Sequence, residues 1–363
     1  MFDKLLMINS KTTSPVNDRP FVQRIKRKLL HWVRLSNDPV VKVYQGYGHA
    51  STIVVFGHVF TLSPLPRKRY RKNVWTNTLA LLRMFMVRPV PDVTVRLNWG
   101  NRHLQVTTAA DGFFRFELDT GQVLAPGKHQ VEVQWIQTYA EQEHVLATGK
   151  GFVLVSPPNK FTCISDIDDT FLVSHSSNLR KRLYVLFTKN AHSRKPFEGV
   201  VSHYRLLSKA GSRDTMPNPF FFVSSSEWNL HDFITEFSRK NSLPQGVYLL
   251  NQVKKVQQLL KTGQNNHSTK FTRIVRIIEA FPEQTYVLLG DDSQQDPYIY
   301  ASIVEHFPGR IKSVYLRQVY KRNVDKVKEA VKKIQDSGVP CCHFQSSAEA
   351  IEHSFNIGLL TLK

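Results

Sequence analysis

Three carboxylates stand at the end of a short apolar run near the middle of the chain. The segment from Phe161 to Thr170 reads FTCISDIDDT, so Asp166, Asp168 and Asp169 follow a candidate buried strand. Carboxylates this close repel one another, and a hard divalent cation with oxygen ligands relieves that repulsion. Acidic runs are also common in ordinary loops, but the strand context favours a metal site. Mg²⁺ is the usual ion where the chemistry is phosphoryl transfer.

Two further segments could complete such a site. Ser224 directly follows the apolar run at 220–223, where its hydroxyl and the next backbone N–H groups could bind a phosphoryl oxygen. Lys270 begins a segment with apolar residues at helical spacing and could offset the charge of a phosphoryl group. Serines after strands and surface lysines are common, so neither residue is specific by itself.

A third apolar run, at 286–289, is followed by the sequence GDDSQQD. This segment adds Asp291, Asp292 and Asp296 as possible ligands of Mg²⁺, which takes oxygen donors. The order of the four segments, each next to a predicted strand or helix, is far more specific than any one of them.

The elements that position these residues are predicted from hydrophobic periodicity. From residue 158 onward, continuous apolar strands alternate with helices, which indicates a parallel sheet covered on both faces. In such sheets functional residues collect at the carboxyl ends of the strands. Residues 41–157 instead alternate apolar and polar side chains with turns between short strands, which is typical of a small β-sandwich.

We therefore predict an α/β fold with three parts. Residues 1–40 form a basic tail with a short amphipathic helix, 41–157 a sandwich-like β domain, and 158–363 the catalytic domain.

The four segments resemble the motifs of the haloacid dehalogenase superfamily. The finer likeness is to the actin-patch-associated phosphatidate phosphatase family, carried by DIDDT at 166–170, VSSSEWNL at 223–230 and GDDSQQDP followed by YIY at 290–300. The likeness is strong over residues 160–320 and loose before them. It implies a haloacid dehalogenase-like catalytic domain and a magnesium-dependent phosphatase.

The resemblance also implies a role for each residue. Asp166 would attack phosphorus to form an aspartyl-phosphate, and Asp168 would transfer protons to the leaving group and from water. Thr170 and Ser224 would orient the phosphoryl group, and Lys270 would offset its charge. Mg²⁺ would be held by Asp166, the backbone carbonyl of Asp168, Asp291 and, in a supporting role, Asp296. Superfamily members that cleave carbon–halogen bonds lack an acid at the position of Asp168, so the resemblance favours phosphoester hydrolysis.

Two assignments stay open at this level. Asp292-Ser293 stands where many relatives have Ser-Gly, so Asp292 competes with Asp291 as the metal ligand. Lys261, and less strongly Lys255, compete with Lys270 as the lysine of the site.

The charge of the chain bears on its partners. It carries 49 Lys and Arg against 29 Asp and Glu, a net charge of +20, which fits an anionic partner, although such an excess is also often only a solvated surface. No helix-turn-helix, zinc-finger or RNP-type motif is evident, so nucleic-acid binding is not expected.

The expected substrate is a phosphorylated lipid. The alternatives are a soluble phosphometabolite and a non-catalytic module that binds lipid or protein.

Cellular location is inferred from what the sequence lacks. Residues 1–14 do not show the pattern of a secretory signal, no run of about 18 apolar residues occurs, and the three cysteines fit a reducing compartment. A cytoplasmic protein is expected, with possible peripheral membrane binding. The basic run Arg67, Lys68, Arg69, Arg71 and Lys72 precedes an apolar helical segment at 78–87 that either packs on the β domain or binds an anionic membrane.

Overall fold

The computed structural model describes residues 35–64, 83–156, 161–167, 196–211, 217–253, 267–319 and 324–361. Within these ranges the strands form two sheets, one of ten strands and one of six.

The ten-stranded sheet comes first in the chain. Its strands are β1 (Leu35–Ser36), β2 (Val40–Val43), β3 (Gly46–His49), β4 (Thr52–Pro64), β5 (Arg88–Pro89), β6 (Thr94–Trp99), β7 (Arg102–Thr107), β8 (Phe113–Asp119), β9 (Gly127–Tyr139) and β10 (Gln142–Val155). The main path runs β1-β4-β3-β10-β9-β6-β7, and β4 also pairs with β2, β5 and β8. Every pairing is antiparallel except that of β3 with β10.

The predicted alternation of apolar, buried residues with more exposed ones is found in these strands. Val95 and Leu97 of β6 and Phe114 and Phe116 of β8 are buried in one apolar core, between more exposed neighbours. The strands form one connected sheet, and its division into the two sheets of a sandwich stays a prediction.

The six-stranded sheet lies in the second half of the chain and alternates with helices. Its elements are β11 (Thr162–Ser165), α1 (Val200–Lys209), β12 (Phe220–Glu227), α2 (His231–Lys240), β13 (Gly246–Asn251), α3 (His267–Ala280), β14 (Tyr286–Asp291), α4 (Asp296–His306), β15 (Ile311–Arg317), α5 (Val324–Asp336), β16 (Cys341–Phe344) and α6 (Ser347–Asn356).

The strand order of this sheet is β13-β12-β11-β14-β15-β16, with every neighbouring pair parallel. The predicted parallel sheet is therefore confirmed. From β11 the chain winds outward through β12 and β13, then returns to the other side of β11 with β14. The winding reverses between β11 and β14, and ligands of open parallel sheets bind at the carboxyl ends of the strands at such a reversal.

The central strands are buried on both faces, as expected for a parallel sheet. Each of the four residues of β11 and the six of β14 is buried. The change from the antiparallel to the parallel sheet falls between the end of β10 and the start of β11, where the composition changes. The domain boundaries themselves stay a prediction.

Aromatic residues join the two sheets. Tyr47 and Phe56 of the first sheet, and Tyr44 directly after β2, belong to the same apolar core as the strands of the second sheet. Of the predicted helical segment at 78–87, only residues 83–87 are described. Residues 83–85 are helical and Phe85 is buried in this core, whereas Met86 lies after the helix and is exposed. Residues 65–82, with the basic run, lie outside the described ranges. No helix among the described residues is long and apolar enough to cross a membrane.

Candidate active site

Three buried carboxylates meet where the sheet reverses its winding. Asp166 directly follows β11, Asp291 is the last residue of β14, and Asp296 is the first residue of α4. One oxygen atom from each lies within 4.8 Å of the others. None of the three residues is more than 2% exposed. The parallel sheet thus brings together the acids that the sequence placed in two separate segments.

Lys270 of α3 bridges two of these carboxylates. Its Nζ donates to Oδ1 of Asp166 at 2.7 Å and to Oδ1 of Asp296. Burial of the ammonium favours its neutral form, but the two adjacent carboxylates outweigh this effect and raise the pKa of Lys270. Lys270 is therefore protonated at neutral pH.

The cluster retains negative charge after this pairing. Three carboxyl groups face one ammonium. The pKa of Asp291 is raised by burial and by the negative charge of Asp296, which shows that the pairing with Lys270 leaves repulsion between the acids. Oδ2 of Asp296 is buried and has no hydrogen-bond partner in the described part of the chain. The donors are all carboxylate oxygens, the ligands that Mg²⁺ prefers. The residues present therefore fit a magnesium ion, which Asp166, Asp291 and Asp296 would hold.

The two neighbouring acids of β14 and the following loop have different partners. Oδ1 of Asp291 accepts a hydrogen bond from the backbone N–H of Ser293 at 2.6 Å, within the cluster. Asp292 instead accepts from the backbone N–H of Val319 at 2.7 Å, and its other oxygen lies 3.2 Å from Nε2 of His343. Only Asp291 of this pair belongs to the carboxylate cluster, so the geometry favours Asp291 over Asp292 as a ligand.

Ser224 lies in an irregular stretch of β12. The pairing of β12 with β13 shifts between Val223 and Glu227, which is a local bulge. Ser165 of β11 pairs with Phe222, so Ser224 stands one residue beyond the level of Asp166 on the neighbouring strand. Its Oγ accepts a hydrogen bond from the backbone N–H of Ser226 at 2.8 Å.

Several predicted site residues lie outside the described ranges. These are Asp168 and Thr170, together with the rival lysines Lys255 and Lys261. Their roles stay predictions from the sequence.

Gly290 allows α4 to approach β14 closely. A Cβ atom built on Gly290 would lie 2.6 Å from Oδ2 of Asp296 and 2.7 Å from Cε2 of Tyr300. Tyr300 also donates a hydrogen bond to the carbonyl of Leu289 at 2.9 Å. A side chain at position 290 would therefore displace the carboxylate of Asp296.

Two polar residues beside the site were not identified from the sequence. Tyr204 of α1 shares a 2.7 Å hydrogen bond with Oγ of Ser165, next to Asp166. Arg273 donates to the carbonyl oxygen of Ser224 at 3.1 Å. The position of Arg273, one helical turn after Lys270, could have identified it from the sequence, because residues three apart lie on the same face of a helix. Tyr204 gave no comparable signal, since its distance from Asp166 depends on how α1 packs.

The parallel-sheet part of the chain is similar to known proteins. Residues 161–318 match the family described as the phosphatidate phosphatase APP1 catalytic domain. The phosphatidate phosphatase APP1 of Saccharomyces cerevisiae is 26% identical over 155 residues, which is 42% of this chain and 25% of that protein. An uncharacterised protein of Schizosaccharomyces pombe is 24% identical over 217 residues, 59% of this chain and 34% of that protein. The chain thus covers only about a quarter to a third of the length of these relatives.

A solved structure, that of a carbohydrate acetylesterase from Xanthomonas citri, aligns with 89% of this chain and 66% of its own. The identity is 10% and the TM-score is 0.24, too low to indicate a common fold.

Proposed function

Because residues 161–318 match the family described as the phosphatidate phosphatase APP1 catalytic domain, we propose that this chain is a magnesium-dependent phosphatase of that family. Its proposed substrate is phosphatidate or a related lipid phosphomonoester. Its proposed nucleophile is Asp166, on a catalytic domain of the haloacid dehalogenase type.

The observation that carries this proposal is the buried cluster of Asp166, Asp291, Asp296 and Lys270. Three carboxylates within 4.8 Å of one another suit a divalent cation better than a structural network, since one lysine does not neutralise them. The position of the cluster at the reversal of the sheet is where substrates of such folds bind.

In the first step, an oxygen of Asp166 attacks phosphorus. A bond between that oxygen and phosphorus forms while the bond from phosphorus to the ester oxygen breaks. Asp168 gives its proton to the departing alkoxide, which leaves as an alcohol. Bound Mg²⁺ would neutralise charge on the phosphoryl oxygens. Lys270 holds Asp166 through its 2.7 Å hydrogen bond and so restricts the direction of attack.

In the second step, water hydrolyses the aspartyl-phosphate. Asp168, now a carboxylate, takes a proton from the water as its oxygen bonds to phosphorus. The bond between phosphorus and the Asp166 oxygen breaks, which releases phosphate and restores the carboxylate. Ser224, together with Thr170, orients the phosphoryl group in both steps.

The lipid substrate is supported by the family of residues 161–318. An anionic membrane surface would present such a substrate to the basic chain, whose net charge is +20. We therefore include reversible binding to anionic membranes in the proposal, with the basic run at 67–72 as the contact.

Phosphate release from a panel of substrates tests the proposal. The panel contains phosphatidate, lysophosphatidate, diacylglycerol pyrophosphate and soluble phosphoesters, each with Mg²⁺ and with EDTA. We expect release from phosphatidate with Mg²⁺ and none with EDTA. Faster release from soluble esters would replace the lipid substrate with a phosphometabolite, and no release from any ester would favour a binding module.

A further inference from the structure

Arg273 of α3 carries a positive charge beside the candidate phosphoryl site. Its Nη1 donates to the carbonyl oxygen of Ser224 at 3.1 Å, and its Nη2 donates to Oδ1 of Asn251 at 3.3 Å. Ser224 belongs to β12, and Asn251 ends β13. The guanidinium therefore lies beside the irregular stretch of β12, where Ser224 stands one residue beyond the level of Asp166, and beside the carboxyl end of β13.

Both acceptors of Arg273 are neutral. Among the described residues no carboxylate forms an ion pair with it. Arg273 is only partly exposed, and burial, with a further contribution from Arg276, lowers its pKa to about 10. At neutral pH the guanidinium is thus charged, partly desolvated and not compensated by an acid in the described part of the chain. Such a charge is costly unless an anion binds to it.

The charge of Lys270 is shared with two acids of the site. Its ammonium is already paired with Asp166 and Asp296. A phosphate monoester brings up to two negative charges into a cluster that is itself acidic. A guanidinium has five N–H donors in a planar fork that matches phosphate oxygens, and the two contacts described here use only two of them.

We propose that Arg273 is an anion-binding residue of the active site, which contacts the phosphoryl group of the substrate next to Ser224. The inference deepens the proposed phosphatase function, because it names the residue that selects a phosphate dianion. The chain offers a matched control in Arg276, which lies one turn further along α3 and is exposed.

Isothermal titration of the full chain with inorganic phosphate, without added metal and with Mg²⁺, tests this role directly. We expect Arg273→Gln to weaken phosphate binding roughly tenfold or more, because a charged hydrogen bond to the anion is lost. Arg273→Lys keeps the charge without the planar fork and should bind with intermediate affinity. Arg276→Gln should bind phosphate as the unmodified chain does.

Kinetics with a short-chain phosphatidate separate a binding role from a structural one. In Arg273→Gln we expect a raised KM and weaker inhibition by phosphate, with the midpoint of thermal unfolding close to that of Arg276→Gln. If Arg273→Gln does not fold, the Arg273→Lys variant provides the test instead. An unchanged affinity for phosphate in Arg273→Lys would then overturn the inference. Equal losses in the Arg273 and Arg276 variants would also overturn it.

The outcomes separate this inference from the proposed function. If the unmodified chain hydrolyses phosphatidate but Arg273→Gln binds phosphate normally, only the role of Arg273 fails. If no ester is hydrolysed yet phosphate binding depends on Arg273, the anion site stands and the phosphatase proposal fails.

Discussion

The rings of Tyr44 and Trp228 stack with their centroids 4.2 Å apart and their planes 17° from parallel. Tyr44 follows β2 of the ten-stranded sheet, and Trp228 directly follows β12, the strand that carries Ser224. The pair therefore connects the ten-stranded sheet with the strand of the parallel sheet that carries Ser224. Both residues belong to the shared apolar core.

We expect Tyr44→Ala to lower the free energy of unfolding by about 3 kcal/mol, because it leaves a cavity against Trp228. Phosphatase activity should also fall, since Trp228 and Ser224 lie on one short segment. Tyr44→Phe keeps the ring and should have a small effect. Tyr139→Ala, at a position 72% exposed, is the control for loss of an aromatic ring. Urea unfolding measures all three, and equal stabilities for Tyr44→Ala and Tyr139→Ala would contradict the structural role.

Asp166→Asn should abolish magnesium-dependent phosphatase activity while the fold stays intact. The change removes the nucleophile and a metal ligand without changing the size of the side chain, and we expect a loss of about a thousandfold or more. Asp292→Asn is the control, because Asp292 contacts Val319 and His343 rather than the cluster. Phosphate release should persist in this control. Comparable turnover by Asp166→Asn, with contaminating phosphatase excluded, would remove the assignment of the nucleophile.

Gly290→Ala should weaken magnesium binding. The added methyl group would lie 2.6 Å from Oδ2 of Asp296, so the carboxylate has to shift from its position in the cluster. We expect the Mg²⁺ concentration for half-maximal activity to rise several-fold.

Gly309→Ala is the matched control for this glycine. Gly309 has a φ of +74° and no atom near the position of a Cβ, so its substitution should cost about 1 kcal/mol of stability through backbone strain alone. Its magnesium dependence should not change. If both variants require the same Mg²⁺ concentration as the unmodified chain, Gly290 is not needed for the position of Asp296.

Because of His203, the folded protein should become less stable as the pH falls below 6.5. Burial, with smaller contributions from Arg317 and His353, lowers the pKa of this histidine from 6.5 to about 3 in the folded state. The unfolded chain therefore binds one more proton between these values. The stability due to neutral His203 is present above pH 6.5 and is lost as the pH falls toward 3, by about 1.4 kcal/mol per pH unit.

His203→Gln should reduce this slope. His203 lies 3.1 Å from Oγ of Ser354, and Gln can keep a hydrogen bond there. Thermal or urea unfolding of both proteins between pH 8 and pH 4 gives the comparison. Parallel stability curves across that range would show that another group causes the acid sensitivity.

Membrane binding should depend on salt and on anionic lipid. Each basic residue near an anionic surface contributes about 1 kcal/mol, which added salt screens. We expect sedimentation with phosphatidate-containing liposomes and little with neutral ones. Replacing the basic residues of the run at 67–72 with neutral ones should reduce binding to the liposomes. These residues are Arg67, Lys68, Arg69, Arg71 and Lys72. Equal binding to both kinds of liposome, or binding unchanged in the neutralised variant, would exclude the hypothesis.

The sequence alone identified the acids of the site and the type of sheet that carries them. Continuous apolar runs predicted buried parallel strands, and the acids at their ends predicted a metal cluster at one edge. This inference is local, because a strand and the polar residue that follows it are neighbours in the chain. The order of Asp166, Ser224, Lys270 and Asp291 along the chain was therefore readable without coordinates.

Only the tertiary structure distinguished Asp291 from Asp292 and brought Arg273 to Ser224. The two acids are adjacent in the chain and alike in chemistry, so the sequence favoured Asp291 only through the family resemblance and left Asp292 as its rival. The packing of β15, β16 and the loop after β15 decides, because Val319 and His343 bind Asp292 and leave Asp291 to the cluster. In the same way, the order of strands around β11 sets which distant side chains meet, and strand order is a property of the whole sheet rather than of any segment.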